Sequence, residues 1–126
     1  MQAMTDATKA SPRVLVVEDD YLIRMLLEDM LADLGYSIAA AAGTLAEASE
    51  LAVTGEFDVA VLDVNLDGQE IYPVAEILVK RGLPFAFVSG YGEDSLSEPY
   101  RSRPALQKPF LAAQLESTLA GLLATA

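Results

Sequence analysis

The sequence predicts an α/β fold in which five strand–helix units form a doubly wound parallel sheet. Three nearly continuous apolar runs, at residues 14–17, 59–62 and 85–88, lack the alternation of a half-exposed strand. They therefore indicate strands that are buried on both faces. Longer segments with helical spacing lie between these runs, and this alternation favours right-handed crossovers with helices on both faces of the sheet.

The first half of the chain supplies two of these units. Apolar residues after the first run recur at three- and four-residue steps and mark one helix face: Leu22, Ile23, Leu26, Leu27, Met30, Leu31 and Leu34. Gly35 suits the left-handed position that ends such a helix, and residues 36–41 are predicted as the second strand. Thr44 and Glu47 have the spacing of a capping box, so a second helix is expected there, ending near Gly55.

The second half continues the pattern with less regular connections. A polar loop is expected at residues 63–69, followed by a helix from about Glu70 to Arg81 that Gly82 closes. Segment 89–103 is rich in glycine, proline and polar residues and is predicted as a loop with at most a short helix. Ala105–Gln107 is predicted as a short fifth strand. A final amphipathic helix is marked by Leu111, Leu115, Leu119, Leu122 and Leu123.

Length and composition restrict the function. The 126 residues fit one domain, predicted at 13–124 after a flexible N-terminal tail at 1–12. The formal net charge of −11 argues against binding to nucleic acid and to anionic membranes. Cysteine and histidine are absent, which excludes thiol nucleophiles, Cys–His zinc sites and Ser–His triads. No secretory signal or membrane span is evident, so a cytoplasmic location is expected.

Chemistry-bearing residues follow the predicted strands. They are Glu18, Asp19 and Asp20 after the first run, Asp63 after the third strand, Ser89 after the fourth and Lys108 after the fifth. Binding sites in open α/β sheets form beyond the carboxyl ends of the strands, so these side chains are expected at one edge. Each alone is compatible with ordinary turn, cap or surface chemistry. The occurrence of all these residues at the ends of strands favours a functional site.

Clustered carboxylates repel one another, and a hard divalent cation such as Mg²⁺ relieves that repulsion through oxygen ligands. An Asp carboxylate can also act as a nucleophile and form an aspartyl phosphate. A lysine ammonium and a hydroxyl would then contact the phosphoryl oxygens. This chemistry needs no histidine on the chain.

Four motifs resemble those of the receiver domains of two-component response regulators, which have a flavodoxin-like fold. They are Val16-Val17-Glu18-Asp19-Asp20, Leu62-Asp63-Val64-Asn65, Ser89-Gly90 and Lys108-Pro109-Phe110, and the resemblance spans residues 13–123. It implies that Asp63 is the phospho-acceptor and that Ser89 and Lys108 bind the phosphoryl group. It also implies Mg²⁺ held by Asp19 and Asp63, by Glu18 through water, and by the backbone carbonyl of Asn65. A cis peptide before Pro109 is implied in the same way.

A narrower resemblance is to the "FAT GUY" receivers, single-domain regulators typical of alphaproteobacteria. The carrying residues are Pro84-Phe85-Ala86-Phe87-Val88-Ser89-Gly90-Tyr91, similar to the motif PFxFATGY. Ordinary receivers carry Tyr or Phe three residues before the lysine, where this chain has Ala105. That aromatic residue responds to phosphorylation in ordinary receivers. We therefore expect Tyr91 to take over this role and report the phosphorylated state.

The resemblance implies a signalling protein rather than a conventional enzyme, although a receiver promotes its own phosphorylation and dephosphorylation. A sensor histidine kinase or phosphotransfer protein is the expected donor. Phosphorylation is expected to reorder segment 89–103 and change binding to a protein partner, with no attached output domain.

Three alternatives remain. A degenerate receiver would act as a docking module without phosphorylation. A haloacid-dehalogenase-type phosphatase is disfavoured because Asn65 stands where that class needs a second carboxylate. A flavodoxin-type cofactor site is disfavoured because Glu18, Asp19 and Asp20 would repel a phosphate.

Overall fold

A computed structural model describes residues 11–90 and 96–125. Its elements are β1 (Arg13–Val17), α1 (Tyr21–Asp33), β2 (Ser37–Ala42), α2 (Leu45–Thr54), β3 (Val59–Asp63), β4 (Asn65–Leu66), β5 (Gln69–Glu70), α3 (Tyr72–Arg81), β6 (Phe85–Ser89), β7 (Ala105–Gln107) and α4 (Ala112–Thr125). Residues 1–10, most of the predicted tail, lie outside the described residues. None of the described helices is long and apolar enough to cross a membrane.

Five strands form one parallel sheet in the order β2-β1-β3-β6-β7, which confirms the predicted fold class. Near the carboxyl ends of the strands, the paired residues are Val17 with Leu62, Asp63 with Val88, and Ser89 with Gln107. Because all five strands run in the same direction, the residues that follow them meet at one edge of the sheet. We call this the carboxyl edge.

The sheet separates two apolar cores, because side chains alternate between the faces of each strand. On one face, Phe85 and Phe87 of β6 pack with buried residues of α2 and α3. On the other face, Leu27 and Leu31 of α1 pack with buried residues of α4, among them Leu115. Helices therefore cover both faces, as the sequence predicts.

Two helices that begin beside the carboxyl edge are capped by nearby side chains. Asp20 caps α1, since its Oδ1 accepts hydrogen bonds from the backbone N–H groups of Leu22 (2.9 Å) and Ile23 (3.1 Å). Thr44 caps α2 by accepting a hydrogen bond from the Glu47 N–H at 3.1 Å. The capping role of Asp20 leaves Glu18 and Asp19 as the acidic side chains of this loop that face the predicted site.

The prediction of a polar loop at residues 63–69 is wrong in part, because β4 and β5 form a two-stranded antiparallel hairpin there. Its turn is Asp67-Gly68, and both residues have positive φ. Glu70 pairs with Asn65 in this hairpin, so α3 begins at Tyr72 and not near Glu70.

The predicted apolar face of α1 is wider than the face that the core covers. Leu27 and Leu31 are buried, whereas Leu22 and Leu26 are 70% and 60% exposed. Leu111, predicted on the core face of the last helix, precedes α4 and is also exposed. A helix lying on a sheet buries a stripe of side chains, and residues beside that stripe stay at the surface.

Segment 89–103 begins at the last residue of β6 and precedes β7. The part that the structure describes, residues 89–90 and 96–103, contains turns and no helix, and Leu96 anchors it in the core. Residues 91–95 lie outside the described residues.

Candidate functional site

The register of the sheet brings predicted site residues from four strands to the carboxyl edge. Glu18 follows β1, Asp63 and Ser89 end β3 and β6, and Lys108 follows β7. The backbone N–H of Lys108 donates to the carbonyl oxygen of Ser89 at 2.8 Å, which ties the last two strand ends together. The sequence-predicted residues Glu18, Asp63, Ser89 and Lys108 therefore lie at one site.

The Lys108 ammonium bridges two of these acids. Its Nζ lies 2.9 Å from Oε1 of Glu18 and 3.2 Å from Oδ2 of Asp63. Both carboxylates are nearly buried, with residue exposures of 2% for Glu18 and 6% for Asp63. A buried carboxylate needs a charge partner or hydrogen bonds, and Lys108 supplies both.

Ionisation of the buried Glu18 carboxyl is unfavourable even with Lys108 beside it. Burial raises the pKa of its carboxyl from 4.5 to about 7, although hydrogen bonds from Lys108 and from the Asp20 N–H act to lower it. The neighbouring charge of Asp63 raises this pKa further. The carboxyl edge is thus short of positive charge.

Lys108 itself keeps its proton. Burial acts to lower the pKa of its ammonium, but the hydrogen bond to Glu18 and the charges of Asp63 and Glu18 outweigh that effect. The pKa of Lys108 is therefore raised above its usual value of 10.5, and the side chain is a cation at neutral pH.

Asp19 completes an acidic cluster. One carboxylate oxygen from each of Glu18, Asp19 and Asp63 lies within 4.8 Å of the others, with Asp19 exposed and the other two buried. Oxygen ligands, excess negative charge and an opening to solvent suit a hard divalent cation such as Mg²⁺. Asn65 lies beside this cluster and donates its backbone N–H to Oδ1 of Asp63 at 3.2 Å. The roles assigned to these four residues remain predictions.

Residues 14–120 match the family model of the response regulator receiver domain. The chain belongs to the response regulator receiver family. Receiver domains are signalling modules of two-component systems, and they generally bind Mg²⁺ at an acidic cluster.

Individual receivers are similar over most of the chain. PdtaR, a transcriptional regulatory protein of Mycobacterium tuberculosis, is 40% identical over 111 residues, which cover 84% of this chain and 54% of PdtaR. This receiver thus spans about half the length of that relative.

Solved structures agree with the fold. SdrG from Sphingomonas melonis Fr1 is 43% identical, with 90% of this chain and 98% of SdrG covered and a TM-score of 0.80. SdrG has also been solved in a BeF3-activated conformation, which superposes with a TM-score of 0.75. The PhyR receiver domain of Erythrobacter litoralis is 31% identical, with 92% of each chain covered and a TM-score of 0.79.

Aromatic residues pack on Phe87, the strand partner of Ala105. Ala105 pairs with Phe87, and the ring of Tyr100 contacts Phe87 with centroids 5.7 Å apart. Tyr100 also stacks on Tyr72, with centroids 5.3 Å apart and planes inclined by 6°. The sequence does not single out Tyr72 or Tyr100, because no local pattern joins residues so far apart. Tyr91, the residue predicted to have this role, lies outside the described residues.

An apolar groove borders the receiver site. It has a volume of about 350 Å³ and lies between α1 and the residues after β7, where Leu26, Met30 and Phe110 line it. Lys108 forms its polar end, and the Lys108–Pro109 peptide is cis, as the resemblance implies. The groove and the acidic cluster are therefore linked through Lys108, which lines the groove and contacts Glu18 and Asp63.

The raised pKa of Glu18 predicts a pH dependence of stability in metal-free buffer. The folded-state pKa of about 7 exceeds the ordinary value of 4.5, so the free energy of unfolding falls as pH rises through this window. Glu18→Gln removes this loss. Its stability relative to wild type should increase by roughly 2–3 kcal/mol between about pH 5 and about pH 8. Urea unfolding with a chelator present measures the difference.

Glu50→Gln is the matched control, because Glu50 is an exposed acid on α2. Its stability relative to wild type should not change over the same pH range. A Glu18→Gln curve that stays parallel to the wild-type curve would contradict the electrostatic account of the site.

Proposed function

We propose that this receiver accepts a phosphoryl group on Asp63 from the phosphohistidine of a sensor histidine kinase or phosphotransfer protein, in a Mg²⁺-dependent reaction. One observation carries the proposal. The Asp63 carboxylate is held at the carboxyl edge by the Lys108 ammonium 3.2 Å away and is clustered with Glu18 and Asp19. This combination of a fixed carboxylate, a cation and additional oxygen ligands supports phosphoryl transfer.

In this reaction an oxygen of Asp63 forms a new O–P bond while the P–N bond of the donor breaks. The imidazole leaves with the electron pair of that bond and takes up a proton from solvent. Lys108 and Ser89 would contact the oxygens of the transferred group, Lys108 as a charge and Ser89 through its hydroxyl. The Asn65 N–H on Oδ1 limits rotation of the Asp63 carboxylate.

The residues that would hold Mg²⁺ are Asp19, Asp63, the backbone carbonyl of Asn65 and, through water, Glu18. When bound, Mg²⁺ would neutralise charge on the phosphoryl oxygens. Because Glu18 already shares the Lys108 ammonium at 2.9 Å, its contact with the metal through water is compatible with that ion pair.

Incubation with acetyl phosphate and Mg²⁺, followed by intact-mass measurement, tests the proposal. We expect one phosphoryl adduct on the wild-type chain, and none on Asp63→Asn or in the presence of a chelator. Asp29→Asn is the control, because Asp29 is an exposed acid on α1 and should not affect the adduct.

An adduct that persists on Asp63→Asn would show that another residue is phosphorylated. If neither acetyl phosphate nor a histidine kinase gave an adduct on the wild type, the chain would act as a phosphorylation-independent docking receiver. That is the second candidate, and Ala105 at the position of the usual switch aromatic is the observation that favours it.

The apolar groove supports a helix of the donor protein as its occupant. Leu26 is 60% exposed at this groove, while Lys108 at its polar end contacts Asp63. A helix lying in the groove would bring a phosphohistidine to the carboxyl edge, because the groove and the acceptor share Lys108.

Leu26→Asp should therefore slow transfer from a phosphorylated kinase or phosphotransfer protein that serves the wild type by about tenfold or more. Phosphorylation by acetyl phosphate should be unchanged, since the site itself is intact. Val53→Asp places the same charge at a 58% exposed apolar position on α2 and should affect neither rate. Equal rates from the protein donor for Leu26→Asp and wild type would exclude this docking surface.

The motif at residues 84–91 supports membership in the "FAT GUY" group, and with it a switch in segment 89–103 that involves Ser89 and Tyr91. Ala105 removes the side chain that reports phosphorylation in ordinary receivers, and Tyr91 lies two residues beyond Ser89. We propose that Tyr91 reports the phosphorylated state to a protein partner. The cytoplasmic location likewise remains a prediction.

Tyr91→Ala should leave formation of the adduct intact and abolish most of the change in tyrosine fluorescence that follows phosphorylation. Tyr100→Ala is the comparison, because Tyr100 contacts Phe87 beside Ala105. If Tyr91→Ala kept the full fluorescence change and Tyr100→Ala lost it, the reporting role would belong to Tyr100. A full change in both variants would remove tyrosine from the switch.

A further inference from the structure

The turn between β4 and β5 is built into the site, although it supplies none of the predicted side-chain ligands. Asp67 and Gly68 are its two central residues, with φ of +52° and +89°. Positive φ at both positions is what a two-residue type I′ hairpin requires, and Asp-Gly is a favoured pair there. The turn therefore has a defined backbone geometry.

Two backbone N–H groups of this hairpin hold acidic side chains of the cluster. The Asp67 N–H donates to Oδ2 of Asp19 at 2.8 Å, and the Asn65 N–H donates to Oδ1 of Asp63 at 3.2 Å. A hydrogen bond within the hairpin stabilises it, since the Gly68 N–H donates to the side-chain Oδ1 of Asn65 at 2.7 Å. One short hairpin thus holds the carboxylates of Asp19, which follows β1, and Asp63, which ends β3.

The hairpin is anchored in the core, so it can hold these carboxylates in place. Leu66 of β4 and Ile71 after β5 are buried, and the Ile71 N–H donates to the carbonyl oxygen of Val64 at 2.9 Å. The turn cannot shift far without exposing these apolar side chains.

Asp19 is the acid that most needs such support. It is exposed, and it lies close to the carboxylates of Glu18 and Asp63, which repel it toward solvent. The Asp67 N–H opposes that movement and keeps an Asp19 oxygen within 4.8 Å of the other two ligand oxygens. Groups that orient metal ligands in this way change metal affinity by about 10- to 100-fold.

We propose that the Asp67-Gly68 turn is a positioning element that preorganises Asp19 for Mg²⁺ through the backbone N–H of Asp67. The inference rests on the proposed Mg²⁺-dependent function. It assigns the role to backbone geometry and not to the Asp67 carboxylate, so Gly68 is the residue on which the geometry depends.

Substitutions at Gly68 test the turn through backbone conformation alone, because a Cβ there would meet nothing within 4 Å. Asn tolerates positive φ, Ala does so poorly, and the β-branched Val hardly at all. The apparent Mg²⁺ dissociation constant, measured by the shift of the unfolding temperature with Mg²⁺ concentration, should follow this order. We expect a value near wild type for Gly68→Asn, about tenfold weaker binding for Gly68→Ala and still weaker binding for Gly68→Val.

Gly82 provides the matched control. It also has positive φ (+73°) with nothing within 4 Å of a built Cβ, but it ends α3 away from the carboxyl edge. Gly82→Ala should lower the unfolding temperature as Gly68→Ala does and leave the Mg²⁺ dissociation constant unchanged. Asp67→Gly keeps the backbone donor and should bind Mg²⁺ nearly as tightly as wild type.

Phosphorylation by acetyl phosphate distinguishes a role of the turn in positioning Asp19 from a general loss of folding stability. At saturating Mg²⁺ the rate for Gly68→Ala should recover to the wild-type rate, because the turn acts on metal binding. Equal Mg²⁺ dissociation constants for wild type, Gly68→Ala and Gly68→Val would overturn the inference while leaving the proposed function standing. A wild-type chain that shows no Mg²⁺-dependent shift would overturn both.

Discussion

The ion pairs of Lys108 are the interaction on which the rest of the site depends. A single ammonium lies 2.9 Å from Glu18 and 3.2 Å from Asp63, and a third carboxylate, Asp19, belongs to the same cluster. Removing one partner of a buried ion pair leaves an uncompensated charge, at a cost of about 3–5 kcal/mol. Even with Lys108 present, burial holds the pKa of Glu18 near 7. The folded chain therefore concentrates negative charge that an additional cation would stabilise.

This concentration of negative charge is possible because the apolar part of the sheet is closely packed on both faces. β1, β3 and β6 are buried along nearly their whole length, and cores on both faces fix their register. Asp63 pairs with Val88 at the end of β3, and Ser89 follows on β6. A slip in register would move one of these residues away from the carboxyl edge. The packing of the strands thus provides the stability that offsets the charge repulsion at their carboxyl ends.

The buried strands and the meeting of charged side chains at one edge of the sheet could be predicted because each depends on local sequence. Apolar runs show that strands are covered on both faces, and parallel direction then places Glu18, Asp63 and Lys108 together. The hairpin was missed, although Asp67-Gly68 is a turn signal, because β4 and β5 have two residues each and little apolar pattern. The exposure of Leu22 and Leu26 was also missed. Periodicity shows which side chains share a helix face, but the neighbouring elements decide how much of that face is covered.

Aromatic residues from distant parts of the sequence pack on Phe87, the strand partner of Ala105. Ala105 pairs with Phe87, and Tyr100 from the preceding segment contacts Phe87 while stacking on Tyr72. Ser89 lies two residues beyond Phe87 on β6, and its carbonyl oxygen accepts the hydrogen bond from the Lys108 N–H. One strand, β6, therefore carries both Ser89 at the site and Phe87, which Tyr100 contacts. Segment 96–103 thus contacts the strand that ends at the site through the ring of Tyr100, without a large side chain at position 105.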